Sequence, residues 1–243
     1  MAESQNSEAL VIKRDDWRES DSRVVLYTKN FGKIVLIARG IKKFKSKLAG
    51  HIEPLTLIQA MILKGKHLDY LGSAVSKEAY LNIKSDLNAL YFVGAALSLF
   101  NNQVKEGVPD EELYDFLSYW LLLVNERFIP LDKTGGELLY NYFVVRLLVI
   151  LGYKPQLRHC LNCGKLITPA DNYFNFRLGG LICHSCFAVD ELKYLPTEIV
   201  KISDDCIKIL RIFSENSQYQ VLKLSPSVAR ELSRLTRSWL DFS

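Results

Sequence analysis

Hydrophobic positions in the first third of the chain fall into short runs whose spacing fits β-strands. Ala9 to Lys13 is one, and Arg23 to Thr28 and Lys33 to Ala38 are two more, rich in β-branched residues and joined by Lys29-Asn30-Phe31-Gly32, which predicts a hairpin. Thr56 to Leu63 and about Leu71 to Ser76 follow, separated by Lys64-Gly65. Five short strands in succession predict a small closed barrel. From about Ser85 the period becomes helical: Leu87, Leu90, Tyr91, Ala95, Leu97 and Leu99 precede Asn101-Asn102. Val108-Pro109-Asp110-Glu111-Glu112 starts a second helix, with acids in its first turn and Leu113, Phe116, Leu117, Trp120 and Leu121 on one face. Ile129-Pro130 breaks it. A third helix is predicted from about Glu137 to Leu151, stopped by Gly152 with Pro155 beyond. Two further helices are predicted near the end, one about Asp204 to Ser214 and one introduced by Ser225-Pro226, an N-cap followed by a first-turn proline. These leucine and aromatic stripes read as core.

Charge changes the reading of the barrel. The chain has 243 residues, 49% of them hydrophobic, with a net charge of only +4. Between Arg23 and His51, however, stand eight lysines and arginines and no acid: Arg23, Lys29, Lys33, Arg39, Lys42, Lys43, Lys45 and Lys47. The OB-fold is the five-stranded barrel whose face and loops hold oligonucleotides. Lys42-Lys43-Phe44-Lys45-Ser46-Lys47 has neither helical nor strand period and reads as a loop leaving the third strand. Lysines there can neutralise phosphates and release counterions, which gives salt-dependent affinity without sequence preference. Phe44 adds a surface for base stacking. The plainer reading is a solvated lysine-rich loop, with Phe31 a plug in its turn.

Cysteine spacing supplies the strongest chemical signal. Cys160 and Cys163 form C-x2-C, a gap of 19 residues follows, and Cys183 and Cys186 form a second C-x2-C. Each two-residue spacer lets a tight turn aim two thiolates at one ion, and four thiolates satisfy a tetrahedral zinc. Gly164 follows the first pair, where the turn favours positive φ. Tyr173 to Phe176, Gly179-Gly180 and Leu181-Ile182 read as strand, turn and return strand, the plan of a zinc ribbon. A redox pair would not explain two clusters at ribbon distance. Catalytic zinc needs an open position that four thiolates close, and the H-x-E partner of a nucleobase deaminase is missing. His159 and His184 flank the pairs and read as surface residues. Cys206, among Ile207, Ile209 and Leu210, reads as a core thiol.

Other classes narrow further. Four cysteines in metal-type clusters and one single cysteine favour the cytoplasm over export. Met1 to Glu8 is polar and acidic, unlike an export signal. The most apolar stretch, Leu138 to Leu151, is short for a bilayer and carries Asn141 and Arg146, so it reads as a buried helix. A G-x-x-x-x-G-K phosphate loop is absent, which argues against ATP hydrolysis. The expected fold is α+β and multidomain: an OB-fold barrel over residues 1–80, a helical domain over 81–157, a four-cysteine zinc ribbon over 158–195 set into it, and closing helices over 196–243. On the last helix Val228, Leu232, Leu235 and Trp239 share one face and Arg230, Arg234 and Arg237 another. The arginine stripe is either a solvated face or a site for an acidic peptide or phosphate.

This order of parts resembles the bacterial RecO family of recombination mediators, of the four-cysteine type. Arg18-Glu19-Ser20-Asp21-Ser22-Arg23 leading to Leu26-Tyr27-Thr28 resembles the approach to the family's second strand. Phe31-Gly32-Lys33, Ala38-Arg39-Gly40, Ser46-Lys47 and Pro54-Leu55 resemble the rest of its barrel signature. Phe143 to Leu148, Leu151-Gly152-Tyr153-Lys154-Pro155, Cys160-Leu161-Asn162-Cys163-Gly164 and Gly179-Gly180-Leu181-Ile182-Cys183 resemble its helix-to-zinc segment. The resemblance implies binding of single- and double-stranded DNA and annealing of complementary strands. It also implies that the partner RecR joins in loading RecA onto strands coated by single-stranded-DNA-binding protein, whose acidic tail is engaged too. It places DNA on Lys29, Lys33, Arg39, Lys42, Lys43, Lys45 and Lys47, makes the zinc structural, and implies a nucleoid-associated cytoplasmic protein rather than an enzyme. The alternatives are a zinc-stabilised scaffold that binds only protein and, further off, a zinc hydrolase.

Overall fold

A computed structural model describes residues 4–44, 46–189, 193–215, 218–219, 222 and 224–242. Lys45 of the lysine loop lies outside the described residues. Five strands come first: β1 (Ser4–Asp16), β2 (Ser22–Thr28), β3 (Gly32–Ala38), β4 (Leu57–Leu63) and β5 (Tyr70–Glu78). They close in the order β1-β2-β3-β5-β4, with β4 returning to β1, and only β3 beside β5 runs parallel. This is the expected OB-fold barrel. Period-two alternation fills its interior with Ala9, Val11, Val24, Leu26, Leu36, Ala38, Ile58, Ala60 and Ile62.

The first strand is longer than its apolar run because it serves two neighbours. Ser4 to Leu10 pairs with β4 and Ala9 to Asp16 with β2, with a register shift between Val11 and Lys13. Such an irregularity bends a strand from one partner to the next. Its polar ends are held by ladder hydrogen bonds, which leave no mark in the hydrophobic pattern.

The helices that follow are α1 (Leu81–Ser85), α2 (Leu87–Gln103) and α3 (Glu111–Arg127). Asp86 caps α2 by accepting from the Ala89 amide at 2.9 Å, and Asp110 caps α3 through the Leu113 amide at 2.9 Å. Both pack on the barrel. The fully buried Tyr27 of β2 meets Phe100 edge-on at 4.7 Å and donates its hydroxyl to the Asp110 carbonyl at 3.3 Å. The β2–β3 turn touches the α2–α3 connection so closely that a Cβ on Gly32, at φ +64°, would lie 2.1 Å from the Val108 carbonyl oxygen. Only glycine fits there.

Contacts divide the chain into two compact units, 1–131 and 132–243. In this division the first three helices group with the barrel.

The second unit begins with α4 (Lys133–Ile150). This helix starts four residues before the expected Glu137, because Asp132 accepts from the Gly135 amide at 2.6 Å and carries Gly135 and Gly136 into the first turn. Strands β6 (Asn172–Asn175) and β7 (Gly180–Ile182) form the expected hairpin, and β8 (Ile199–Ile202) adds an unexpected third strand on the other side of β6. Between them α5 (His184–Val189) carries Cys186, and α6 (Asp204–Glu215) and α7 (Pro226–Leu240) follow. Helix α4 packs on α6 and α7. The α4–α7 seam is pinned by Asn141, which donates to Ser233 Oγ at 2.8 Å and accepts from Thr236 Oγ1 at 2.8 Å. Phe174 of β6 meets Trp239 of α7 at 5.6 Å, so the ribbon sheet shares the helices' core. Cys206 is fully buried in α6, and burial pushes its thiol up to about 12. Among the described residues no helix is long and apolar enough to cross a membrane.

Candidate metal centre and nucleic-acid interface

The four ribbon cysteines converge. All four sulfur atoms lie within 4.8 Å of one another, with Cys163 Sγ and Cys183 Sγ 3.9 Å apart. Thiolates about 2.3 Å from a tetrahedral zinc lie roughly 3.8 Å apart, so the donor set fits that ion. Local turns aim each pair. Gly164, at φ 69°, returns its amide to the Cys160 carbonyl at 2.9 Å, and Cys160 donates its own amide to the Lys165 carbonyl at 2.8 Å. The second pair sits at the start of α5, where the Phe187 amide donates to the Cys183 carbonyl at 3.0 Å. Tyr173 stacks on Phe187 at 3.7 Å and fixes the hairpin against this turn.

Electrostatics favour a thiolate at the buried corner. Burial raises the Cys160 thiol, but the amides of Cys163, Cys183 and Asn162 pointing at its sulfur outweigh that and hold it down to about 6. Burial among the other thiols pushes Cys186 up to about 12. A divalent cation would relieve the second effect by taking up the negative charge the four sulfurs share. His159 and His184 are exposed and stand outside this cluster.

The basic residues of the barrel do not form one cluster. Lys29 sits in the β2–β3 turn, while Arg39, Lys42, Lys43 and Lys47 lie on the loop leaving the far end of β3. A seven-residue strand, about 20 Å long, separates them. Lys33 is a correction to the expected set. It is only 8% exposed, and its ammonium donates to the Asn101 carbonyl of α2 at 2.7 Å. Its charge neutralises a helix C-terminus instead of meeting solvent.

At the far end three connections meet. The Gly40 amide donates to Asp21 Oδ1 at 2.8 Å, the Lys42 amide to the Ser20 carbonyl at 3.1 Å, and the Ile37 amide to the Asp69 carbonyl at 3.0 Å. The β1–β2 turn, the start of the β3–β4 loop and the β4–β5 turn are thereby drawn together. Arg39 lays its guanidinium 4.0 Å over the Tyr70 ring and is itself exposed. Lys43, Lys47, Arg18 and Lys66 are exposed here as well. Arg18 and Lys66 escaped the sequence reading because they belong to other connections than the acid-free run.

The run is acid-free along the chain but not in space. Asp15 lies opposite Arg23, and Asp16 pairs with Lys42 at 2.9 Å. Lys64 is likewise taken by Asp69 at 2.7 Å. Of the cations on the loop leaving β3, Arg39, Lys43 and Lys47 therefore carry more of the outward positive potential than Lys42. Two aromatic residues on these connections are exposed, Trp17 on the β1–β2 turn at 43% and Phe44 on the loop leaving β3 fully in solvent.

The second unit has a cleft of about 490 Å³ between β8 and α7. Its walls include Phe176, Ile199 and Phe242, with Lys201, Arg234 and Glu231 at the polar positions.

Known proteins place this architecture. The family description "Recombination protein O N terminal" matches residues 1–80, and "Recombination protein O C terminal" matches residues 84–243. A DNA repair protein RecO from Alkaliphilus metalliredigens (strain QYMF) is 27% identical over 237 residues, covering 96% of this chain and 91% of that protein. The protein of the same name from Dehalococcoides mccartyi (strain CBDB1) is 29% identical over 239 residues, or 97% and 89% of the two chains. One from Listeria welshimeri is 31% identical over 196 residues, or 80% and 74%. An OB-fold barrel matched by the family's N-terminal description, joined to a helical body with a cysteine cluster matched by its C-terminal one, makes this chain a member of the RecO family.

Proposed function

We propose that this protein acts in DNA repair as a recombination mediator. It binds single- and double-stranded DNA through the loop-bearing end of its barrel and anneals complementary strands. With RecR it helps load RecA onto strands coated by single-stranded-DNA-binding protein, working in the cytoplasm at the nucleoid. The observation that carries this reading is the meeting of three connections at one end of an OB-fold barrel, with Arg39, Lys43, Lys47, Arg18 and Lys66 exposed around them. Their side chains can follow a phosphate backbone without reading its sequence. Lys29 offers one more exposed cation at the other end of the hairpin.

Cys160, Cys163, Cys183 and Cys186 hold a structural Zn2+, which ties the hairpin to α5. A shell of four thiolates has no position for water, so the reading is of a binding protein and not a hydrolase. The cleft beside α7 is our candidate for the acidic, apolar tail of the coating protein: Arg234 lines it with apolar walls, Lys201 is already paired with Asp171 at 2.8 Å, and of the two lining acids Glu231 and Asp241 the first accepts from Ser203.

The test is annealing of two complementary oligonucleotides precoated with their cognate single-stranded-DNA-binding protein, without nucleotide, across a salt series. Faster annealing that fades as salt rises is expected. No acceleration together with no DNA binding at low salt would leave a zinc-stabilised protein scaffold.

A further inference from the structure

Resting on the reading that the open end of the barrel binds DNA, we infer that Trp17 and Phe44 form a base-stacking platform that gives this end a preference for single strands over duplex. Single exposed aromatics are ordinary on a protein surface, but two on adjoining connections that also carry exposed cations make a candidate contact surface. Phe44 is fully in solvent and Trp17 is 43% exposed. They lie 27 positions apart in the sequence, yet one residue joins the two connections that carry them. Lys42 pairs with Asp16 at 2.9 Å, donates to the Arg18 carbonyl at 3.3 Å, and sends its amide to the Ser20 carbonyl at 3.1 Å. Trp17 sits between the first two of these partners, and Phe44 follows Lys42 by two residues. The ion pair at Lys42 thus serves as a strut between two aromatic-bearing loops, and the phosphate contacts fall to its neighbours Lys43 and Lys47.

The chemistry of the rings selects the ligand. Within a duplex each base face is covered by the next base pair, so a surface aromatic finds only edges. In a single strand the faces are open and every base can stack. Stacking leaves the pairing edge of a base free. A strand held by phosphates on Lys43 and Lys47 and by base faces on Trp17 and Phe44 therefore remains able to pair with its complement, which suits a protein that anneals.

The chain supplies its own probe. Of its three tryptophans, Trp120 is fully buried and Trp239 is 2% exposed, so the acrylamide-quenchable emission belongs to Trp17. Titrating the full-length protein at low salt with an oligothymidylate should quench that emission and shield it from acrylamide, and a duplex of equal length should do so far less. Trp17→Ala and Phe44→Ala should each weaken single-strand binding about tenfold, leave duplex binding unchanged and preserve the salt slope. Phe44→Leu should behave like Phe44→Ala, because an aliphatic side chain keeps the apolar contact but not the stacking face. Unaltered Trp17 emission, or equal losses for single strand and duplex, would overturn the platform. If Lys43→Ala with Lys47→Ala still flattens the salt slope in that case, the DNA-binding barrel stands and only the stacking falls. If those lysine variants also leave affinity and slope unchanged, the barrel-end reading fails, and the platform with it.

Discussion

The cysteine centre and the loop end of the barrel are both made of side chains on turns, but they differ in how far apart their parts lie in the sequence. At the cysteine centre each half of the site is built within four consecutive residues, and a short hairpin joins the halves. At the barrel end the parts come from three connections and from β1, and their charges are set by which strand neighbours which. A ligand set with local geometry survives any reasonable folding of the rest. A charged surface does not, because potential depends on distance in space and is cancelled by whatever acid the fold brings near.

Removing one of the four clustered cysteines should break this contrast most strongly. Cys160→Ser leaves three thiolates and takes away the most buried one. Structural zinc contributes on the order of 10 kcal/mol in small finger peptides, and less where a ribbon shares a larger core. The expected outcome is zinc content falling well below one ion per chain by elemental analysis, with the ribbon opened to proteolysis and the barrel unit still folded. Loss of the barrel's own thermal transition would mean that the two units stand or fall together.

Lys33 sharpens the comparison from the other side, because it is a cation of the barrel that serves the fold. Replacing it by methionine keeps most of the apolar stem and removes the ammonium that meets the Asn101 carbonyl at 2.7 Å. Breaking a charged hydrogen bond of this kind costs about 1.5 to 3 kcal/mol. The denaturation midpoint should fall while the salt slope of DNA binding stays put. A changed slope with intact stability would return Lys33 to the phosphate contacts.

Lys43→Ala with Lys47→Ala should do the reverse. Stability should hold, and single-strand affinity should lose about 0.7 of log-log salt slope for each phosphate contact removed. Lys42→Ala should change the slope less, since its charge is already balanced by Asp16.

The smallest effect concerns acid stability within the first unit. Glu8 is held below the usual carboxylate range, chiefly by its hydrogen bond with Lys77, against burial, and with help from the Tyr114 hydroxyl. A depressed carboxyl stabilises the folded state above the unfolded value of about 4.3 and loses that contribution as pH falls through the folded value. Glu8→Gln should therefore flatten the decline of stability below about pH 4 and lower stability slightly at neutral pH. An identical acid limb in both proteins would remove Glu8 from the account.

Strands β1 to β5, helices α2, α3, α6 and α7, and the convergence of four cysteines were legible because each carries its own signal: alternation, a capping aspartate or serine, or a two-residue spacer between cysteines. The missed parts share a reason. Strand β8 is four residues long and exists as a strand because β6 offers it an edge. The start of α4 hid behind Gly135 and Gly136, which a cap at Asp132 overrides. Trp17, Arg18 and Lys66 join the candidate interface because hydrogen bonds from Gly40, Lys42 and Ile37 draw their turns together.

By itself the sequence determined the barrel, the helical body and the cysteine cluster, since each rests on interactions within a few residues or on a repeating face. Tertiary structure alone decided which lysines are available. It buried Lys33 against a helix end, set Asp16 on Lys42, and tied the turn that carries Trp17 to the loop that carries Phe44. Charge and exposure are properties of neighbourhoods, and only the folded chain has neighbourhoods.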